Sequence, residues 1–274
     1  MNRLTTEKRV QIISALVEGN AINATARMVG VSKVTILKLL KDVGEACMAF
    51  ENKALRNLPC KNIQCDEIWS FCYAKEKNVP EKYRGKFGYG DVWTWTAICA
   101  DTKLIASWTL GNRGAETANA FMLDLASRLK NRIQLTTDGH RAYLQAVDNA
   151  FGCEVDYAML VKIYGNDPQP DTRYSPAECI GCQMVEISGR PERKNISTSY
   201  VERQNLTMRM QMRRFTRLTN AHSKKIENQA YALALHFVHY NFARVHQTLR
   251  VTPAMEAGIA DHVWTIEEIV RLSN

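Results

Sequence analysis

The spacing of apolar residues changes along this chain, from a helical period near the N-terminus to alternation in the middle. Residues 5–41 predict three short helices: Gly19 ends the first, Gly30 makes the turn after the second, and Ser32 is a favourable N-cap for the third. Two short helices, a glycine turn and a third helix are typical of a helix-turn-helix. The pattern therefore predicts this motif at the start of the chain.

The third helix, residues 33–41, is predicted to turn Val34, Leu37 and Leu40 inward. Residues 1–41 contain seven Lys or Arg against two Glu, so the opposite side of this helix is suited to DNA. The alternative is a small helical packing module whose basic face is only solvated. We expect DNA contacts from its polar and basic side chains, namely Ser32, Lys33, Thr35, Lys38 and Lys41.

Between residues 62 and 163 the pattern alternates between strands and helices. A charged connector over 42–58, which is predicted to be helical, precedes this region and ends at Pro59. Period-two alternation predicts five strands and helical spacing predicts two helices, which together form a mixed α/β sheet. The first and fourth strands would be neighbours if the hairpin of strands two and three lies to one side. The predicted strands cover residues 63–73, 92–99, 104–110, 133–137 and 154–163, and the helices cover 116–129 and 141–151.

A segment rich in Pro and Gly, residues 165–195, is predicted to be a long loop or insertion. Two helices follow, over residues 199–217 and 224–242, and a short amphipathic helix lies at 266–272. The predicted domain organisation is residues 1–58 as a DNA-binding domain with its connector, 59–250 as an α/β catalytic domain and 251–274 as a C-terminal tail.

Three acidic residues stand at positions where a carboxylate needs a partner. Asp66 lies in the middle of the first strand, Asp138 ends the fourth strand, and Glu202 is in the first turn of a helix. Asp66 could instead pair with an Arg, and Asp138 could belong only to a turn with Gly139. Glu202 also completes a capping box, S-x-x-E, with Ser199. Considered together with the basic N-terminal helices, the three acids favour a metal site.

Clustered carboxylates repel one another unless a cation neutralises them, and hard oxygen ligands suit Mg²⁺ or Mn²⁺. Two such ions can activate water or a 3′-hydroxyl and stabilise the leaving oxygen at a phosphorus. We therefore predict that Asp66, Asp138 and Glu202 bind two divalent ions. Arg209 and Arg213 follow Glu202 along one helical face in a segment, 190–217, with eight Lys or Arg against two Glu, which predicts phosphate contacts.

The composition narrows the possible partners and surroundings. The formal net charge of +8 over 274 residues favours a polyanionic partner, and 46% hydrophobic residues are enough for a core. Eight Cys at irregular spacings, with neither a signal-peptide pattern nor a membrane-spanning apolar stretch, predict free thiols in a reducing cytoplasm and no membrane partner. The pair Cys179 and Cys182 lacks two further ligands of its own, so no zinc site is predicted.

Three pieces of sequence together resemble a DDE-type transposase of a bacterial insertion sequence, in the retroviral-integrase superfamily. The first two are CDEIW at residues 65–69 and LTTDG at 135–139. The third is YVERQN at 200–205, which is followed by YNFARVHQTL at 240–249 and TPA at 252–254. The resemblance covers nearly the whole chain and is closest to insertion-sequence family one.

The resemblance implies an RNase H-like catalytic domain with Asp66, Asp138 and Glu202 as the metal-binding triad. It implies double-stranded DNA as the partner, at the element ends and at the target, with strand cleavage and strand transfer as the reaction. It also implies a homo-oligomer on DNA and a place on the nucleoid in a bacterial cytoplasm. Two features depart from the family: the segment from Asp138 to Glu202 is longer than in compact integrases, and the first 46 residues lack the zinc-binding Cys of some relatives.

Two other functions fit the same elements. A DNA-binding transcriptional regulator would combine the helix-turn-helix with an α/β sensor domain, and would need neither a metal nor Asp66. An RNase H-like nuclease would cut DNA without joining it. Transfer of a pre-cut strand separates a transposase from such a nuclease.

Overall fold

A six-stranded mixed sheet runs through the middle of the chain in the computed structural model, which describes residues 4–165, 179–216 and 219–274. The strands are β1 (Asn62–Cys72), β2 (Gly90–Cys99), β3 (Ile105–Gly111), β4 (Ile133–Asp138), β5 (Val155–Tyr164) and β6 (Cys179–Ser188). Their order across the sheet is β3-β2-β1-β4-β5-β6. Strand β1 is parallel to β4 and β4 to β5, whereas the other pairs are antiparallel. The predicted mixed α/β sheet is confirmed, and so is the pairing of the first strand with the fourth.

The sixth strand corrects the sequence-based expectation of five strands and a loop over residues 165–195. Strand β6 (Cys179–Ser188) pairs antiparallel with β5 at the edge of the sheet. None of its side chains is fully buried, so the strand forms by backbone pairing and leaves no alternation of buried and exposed positions in the sequence. Residues 166–178 of the same expected insertion lie outside the described residues.

Helices cover both faces of the sheet. Helix α4 (Ala115–Arg128) packs against α5 (Ala142–Phe151) on one face, and α6 (Ser199–Gln211) packs against β1 and β2 on the other. The two faces follow from the pleat of β1, because successive side chains point to opposite sides. Glu67 meets Tyr143 of α5, whereas Gln64 accepts hydrogen bonds from the backbone of α6.

The helix that begins at Ser199 is shorter than predicted. It ends at Gln211, and the extended Met212 separates it from a 3₁₀ turn at Arg213–Phe215, so no single helix spans residues 199–217. Met212 and Phe215 are both buried. A spacing of three residues is satisfied by a 3₁₀ turn as well as by an α-helix, which explains the overestimate.

Three helices precede the sheet: α1 (Thr6–Val17), α2 (Ile22–Val29) and α3 (Lys33–Ala54). Gly30 caps α2 in the left-handed conformation, and Ser32 caps α3 by accepting from the Thr35 amide at 3.2 Å. Helix α3 has 22 residues and continues through most of the expected connector. Val34 is 67% exposed, which corrects its predicted inward position, because the buried stripe of α3 runs through Ile36, Leu40, Val43 and Cys47.

The N-terminal helices pack on the C-terminal ones. Helix α7 (Ile226–Val238) lies against α3 and continues into a π-helical turn at His239–Ala243. Helix α8 (Pro253–Glu256) follows, and α9 (Ile266–Arg271) confirms the short final helix and packs on α1. Arg9 of α1 donates to the Asn274 side chain at 2.6 Å and to the Val270 carbonyl at 3.3 Å. None of the helices in the described part of the chain is both long and apolar enough to cross a bilayer.

The closest approach between α3 and α7 is at Gly44 and yields a stability prediction. A Cβ on Gly44 would lie 2.9 Å from the Tyr231 carbonyl oxygen and closer still to the Tyr231 Cβ. Because backbone cannot move aside as a flexible side chain can, Gly44→Ala should lower the free energy of unfolding by about 1–3 kcal/mol despite the better helix propensity of Ala. Urea denaturation measures this change.

Gly181→Ala is the matched control for Gly44→Ala, because nothing lies within 4 Å of the added Cβ. It should leave the free energy of unfolding nearly unchanged. Equal effects of the two substitutions would contradict a tight contact between α3 and α7.

Candidate active site

Asp66 and Asp138 lie side by side because of the parallel pairing of β1 with β4. The ladder joins Cys65 to Thr137, so the next residues on the two strands are the two acids. Both are half-buried. The two predicted acids are therefore brought together as expected, with Asp66 inside β1 and Asp138 at the carboxyl end of β4.

Glu67 joins these two acids, although the pleat of β1 directs it to the other face. Among the described residues, oxygens of Asp66, Glu67 and Asp138 all lie within 4.8 Å of one another, and the three could hold a metal ion. The Asp66 Oδ1 accepts the Glu67 amide at 2.8 Å, so the Asp66 side chain bends along the strand towards its neighbour. The acidic cluster is thus Asp66, Glu67 and Asp138.

Two groups on the α4 and α5 side hold Glu67. Arg113 Nε donates to Glu67 Oε1 at 2.6 Å, and the Tyr143 hydroxyl donates to Oε2 at 3.1 Å. Arg113 also reaches Asp138 Oδ2 at 3.8 Å, and its guanidinium lies 4.7 Å from the centre of the Trp93 ring. Burial, together with the nearby Glu67 carboxylate, raises the pKa of Tyr143, which keeps its hydroxyl a donor.

The charge in the cluster is not balanced by the side chains around it. Burial raises the pKa of Asp66 to about 8, and the carboxylates of Asp138 and Glu67 add to the shift. Burial and Asp138 also raise the pKa of Glu67, against the opposing effect of Arg113. Hard oxygen donors with unneutralised negative charge fit a divalent ion such as Mg²⁺ or Mn²⁺, so the residues present suit the metals expected from the sequence.

Glu202 lies on the Asp66 face of the sheet but has its own partners. Its Oε2 is 2.7 Å from Lys162 Nζ of β5, and its Oε1 accepts a short hydrogen bond from the Thr198 hydroxyl. The proposed capping box with Ser199 does not form, because Ser199 is already the first residue of α6. Glu202 contributes to raising the pKa of Asp66, although burial and the nearer acids contribute more.

Helix α6 is fixed over Asp66 by two polar contacts. Gln64 Oε1 accepts from the backbone amides of Tyr200 and Val201 at 2.8 and 3.2 Å, which replaces the cap that α6 lacks. Asn205, one turn after Glu202, donates to Asp66 Oδ2 at 2.8 Å. Both oxygens of Asp66 therefore have directed donors, and the carboxylate is held in one orientation.

The residues predicted to bind DNA form two groups in the structure, one at the start of α3 and one at the end of α6. Ser32, Lys33, Lys38 and Lys41 are exposed near the start of α3, and Thr35 is half-buried. Lys41 is 3.8 Å from the Glu45 carboxylate.

Arg209 and Arg213 do not form the expected row on one helix. Arg209 is half-buried on α6, whereas the exposed Arg213 starts the 3₁₀ turn after the extended Met212. The predicted row required a continuous helix through both residues, and α6 ends between them.

Four contacts of the site were missed from the sequence: Glu67, Arg113, Lys162 and Asn205. Strict alternation placed Glu67 on the other face from Asp66, and Arg113 precedes α4 in a loop without any pattern. Asn205 had a detectable signal, because it follows Glu202 at helical spacing. Lys162 also had one, because alternation along β5 places it on the face of the strand that carries the site.

Comparison with known proteins gives structural similarity alone. No protein-family model matches the chain, and no curated protein sequence matches it either. Solved structures to which the chain is similar include a piggyBac transposase synaptic complex with hairpin DNA, at a TM-score of 0.43 and 11% identity over 99% of this chain and 71% of that one. A Mos1 transposase paired-end complex with the left transposon end is similar at a TM-score of 0.22 and 11% identity, over 54% of this chain and 58% of that one. A Mos1 strand transfer complex is similar at a TM-score of 0.26 and 10% identity, over 86% of this chain and 76% of that one. These structural neighbours are transposases, and with scores below 0.5 they assign the chain to no family.

The raised pKa of Asp66 predicts a pH-dependent stability for the metal-free protein. Between the unfolded-state pKa of about 4 and the folded-state pKa, the native protein holds a proton that the unfolded chain has lost. Native stability from this group therefore falls as pH rises towards about 8. Asp66→Asn removes that loss, so its stability relative to wild type should improve by about 3–4 kcal/mol between pH 5 and pH 8.

The measurement is urea denaturation in EDTA at both pH values. Asp148→Asn is the control, because Asp148 is an exposed acid of α5 outside the cluster. The same stability difference between Asp66→Asn and wild type at pH 5 and pH 8 would contradict the crowding of the carboxylates.

Proposed function

We propose that this protein is a DDE-type transposase of the insertion-sequence class, related to insertion-sequence family one, which cleaves DNA and transfers strands with divalent metal. The observation that carries the proposal is the acidic cluster, in which three carboxylates lie within 4.8 Å of one another and the pKa of Asp66 is raised to about 8. A transcriptional regulator has no use for such a cluster. The hairpin–parallel-strand arrangement of β1 to β5 also fits the expected RNase H-like domain.

The side chains that would hold the metal are Asp66 and Asp138, with Glu202 as the third member of the triad. Two bound Mg²⁺ or Mn²⁺ ions would supply activation of a water or a 3′-hydroxyl and stabilisation of the leaving oxygen. Asn205 orients Asp66 by its hydrogen bond, and Arg113 orients Glu67 while it offsets part of the negative charge near Asp138. These contacts preorganise the oxygens before DNA arrives.

Glu202 would be free to hold metal as a member of the triad once its carboxylate is released from Lys162. In the metal-free protein, the hydrogen bond to Glu202 and the attraction of its charge raise the pKa of Lys162 although burial opposes its charge. The ammonium thus occupies the position of a cation beside Glu202. Once released, it lies on the site face of β5, where a DNA phosphate is a suitable new partner.

DNA reaches the site along two basic surfaces, one at the start of α3 and one around the end of α6. We propose that residues 1–58 bind the element ends, with Ser32, Lys33, Thr35, Lys38 and Lys41 towards the DNA. Arg209 and Arg213 contact phosphates near the site in the 59–250 catalytic domain, and residues 251–274 brace the first helices through α9. The assembly on DNA is a homo-oligomer, and the bacterial nucleoid is its place of action.

The proposal predicts loss of metal-dependent cleavage when any triad acid is neutralised. Asp66→Asn, Asp138→Asn and Glu202→Gln should each lower cleavage of end DNA in Mg²⁺ by about 100-fold or more, because the charge that binds the ions is reduced. DNA affinity in EDTA should stay within about twofold of wild type, since phosphate contacts come from basic residues. A gel assay with labelled end DNA measures both quantities.

Asp148→Asn should cleave as wild type does and serves as the control. Wild-type cleavage without transfer of a pre-cut end to a plasmid would favour the nuclease. Sequence-specific binding without any cleavage in Mg²⁺ or Mn²⁺ would favour the regulator. Near-normal cleavage by Asp66→Asn would remove the active-site assignment.

The N-terminal assignment predicts a change in salt dependence. In the full chain, Lys33→Gln with Lys38→Gln should weaken binding to end DNA and reduce the slope of log affinity against log salt by about 1.8, since about 0.9 is lost for each phosphate contact. The full chain is needed because α1 and α3 pack on α9 and α7. Lys53→Gln with Lys130→Gln removes equal charge elsewhere and is the control. An unchanged slope in the first variant would show that α3 does not contact DNA.

A further inference from the structure

A connection between β1 and β2 carries a cluster of aromatic and basic side chains that no part of the proposed chemistry uses. This basic aromatic loop, residues 73–89, contains five Lys or Arg and two Glu, for a net charge of +3. Its basic residues are Lys75, Lys77, Lys82, Arg84 and Lys86. Among the described residues, no carboxylate lies within ion-pair distance of any of these five.

The basic aromatic loop is fixed to the body of the protein. The Tyr73 amide donates to the Ser223 carbonyl at 2.8 Å, and the Glu76 carboxylate accepts from the Asp91 amide at 3.2 Å. Val79, a residue of the loop itself, is buried. Gly90 has a φ of +97°, a backbone conformation that favours glycine, and lies against the Glu76 carboxylate. The loop therefore presents its side chains from a defined backbone.

Three tyrosines form the centre of the loop. The rings of Tyr83 and Tyr89 are stacked with centroids 4.4 Å apart and planes at 9°, and Tyr73 meets both rings at their edges, at 5.6 and 5.1 Å. Lys82 and Lys86 approach the Tyr83 ring at 4.7 and 5.9 Å. The tyrosine cluster thus gathers cationic side chains at one surface.

Phe87 stands outside this cluster and is 51% exposed. It contributes little to the core, yet it lies in the chain directly after Lys86. Exposed aromatic rings beside cationic side chains are what proteins offer to single-stranded nucleic acid, since bases stack on the rings while phosphates meet the cations.

The position of the loop relates it to the acidic cluster. Because β1 and β4 are parallel, their carboxyl ends point the same way, and the chain leaves β1 in the direction in which Asp138 ends β4. The loop begins seven residues after Asp66, which corresponds to roughly 23 Å along an extended strand. At about 3.4 Å per nucleotide of one strand, this is roughly seven nucleotides from a phosphate held at the cluster.

We propose that the basic aromatic loop is a second DNA-binding surface, which holds the strand roughly seven nucleotides from the reacting phosphate and stacks an unpaired base on Phe87. The inference rests on the proposed function, because the DNA is the same molecule that reaches the acidic cluster. A second copy of this chain is the other possible occupant. The net charge of +3 opposes the docking of two such loops and complements a polyanion.

The test compares full-length variants on two probes in EDTA: a 40-base-pair duplex of arbitrary sequence, and the same duplex with an eight-nucleotide unpaired tail. Lys82→Gln with Arg84→Gln and Lys86→Gln should reduce the salt slope on both probes by about 2.7, at about 0.9 for each lost phosphate contact. Phe87→Ala should weaken binding to the tailed probe by about fivefold or more and leave the duplex unaffected.

The control variant removes equal charge near the opposite end of β1, with Lys53, Lys61 and Lys130 changed to Gln. These exposed residues lie near the start of β1, where the Lys130 amide donates to the Leu58 carbonyl. The control should change the salt slope by less than about 1. Circular dichroism and thermal melting show whether each variant is folded.

Three results would overturn the proposal. The first is a salt slope for the triple loop variant equal to that of the control. The second is equal loss on both probes for Phe87→Ala. The third is a shift in the sedimentation of the loop variant with an unchanged DNA slope, which would assign the surface to a second copy. Failure of wild-type protein to cleave end DNA in Mg²⁺ would instead remove the transposase function, and the binding comparison would still decide the role of the loop.

Discussion

Repulsion among carboxylates is the constraint on which the candidate site depends. Asp66, Glu67 and Asp138 bring three acids within 4.8 Å of one another, and Arg113 is the cation that contacts two of them. One guanidinium does not neutralise three carboxylates, and burial together with the neighbouring Asp138 and Glu67 carboxylates raises the pKa of Asp66 to about 8. A folded chain that keeps this arrangement gives up stability at neutral pH, and binding of a divalent ion would restore it.

The surrounding fold keeps the acids in place despite that repulsion. Parallel pairing of β1 with β4 sets Asp66 beside Asp138, and the hydrogen bond from Asn205 fixes one oxygen of Asp66. Gln64 holds the start of α6 against β1, which brings Glu202 to the same face of the sheet. Each contact links an element distant in sequence to β1, so the site forms only when the sheet and α6 are both assembled.

The sequence was sufficient for the parts of the site that follow from regular periodicity. Alternation along β1 and the position of Asp138 after a strand predicted that the two acids meet, because the carboxyl ends of neighbouring parallel strands lie together. It was insufficient for Glu67, because the bend of the Asp66 side chain towards the Glu67 amide is a local geometry that alternation does not encode. Alternation places Lys162 on the site face of β5, but it does not say that Glu202 of α6 is its partner, so that ion pair was not predicted.

The same limit applies to the fold: strands with a buried face could be predicted from the sequence, and elements formed by backbone pairing or a local turn could not. The five strands with a buried face were predicted, whereas β6 was missed because backbone pairing with β5 forms it without burying its side chains. Helix α6 was predicted too long because the buried Met212 and Phe215 keep a spacing of three residues, although Met212 is extended and Phe215 lies in a 3₁₀ turn. Val34 was placed inward because it precedes the buried Leu40 at helical spacing, whereas the buried stripe of α3 begins at Ile36.

The acidic cluster is tested most directly by the protons that it releases when a divalent ion binds. At pH 7 a carboxyl with a pKa of about 8 is mostly protonated, so binding of Mn²⁺ should release about one proton. Calorimetric titration of metal-free protein in two buffers of different ionisation enthalpy counts these protons. We expect about one proton per chain from Asp66 at pH 7, almost none at pH 9, and about one proton fewer at pH 7 for Asp66→Asn than for wild type. Binding heats that are independent of the buffer at pH 7, or unchanged by Asp66→Asn, would contradict a metal centre at this cluster.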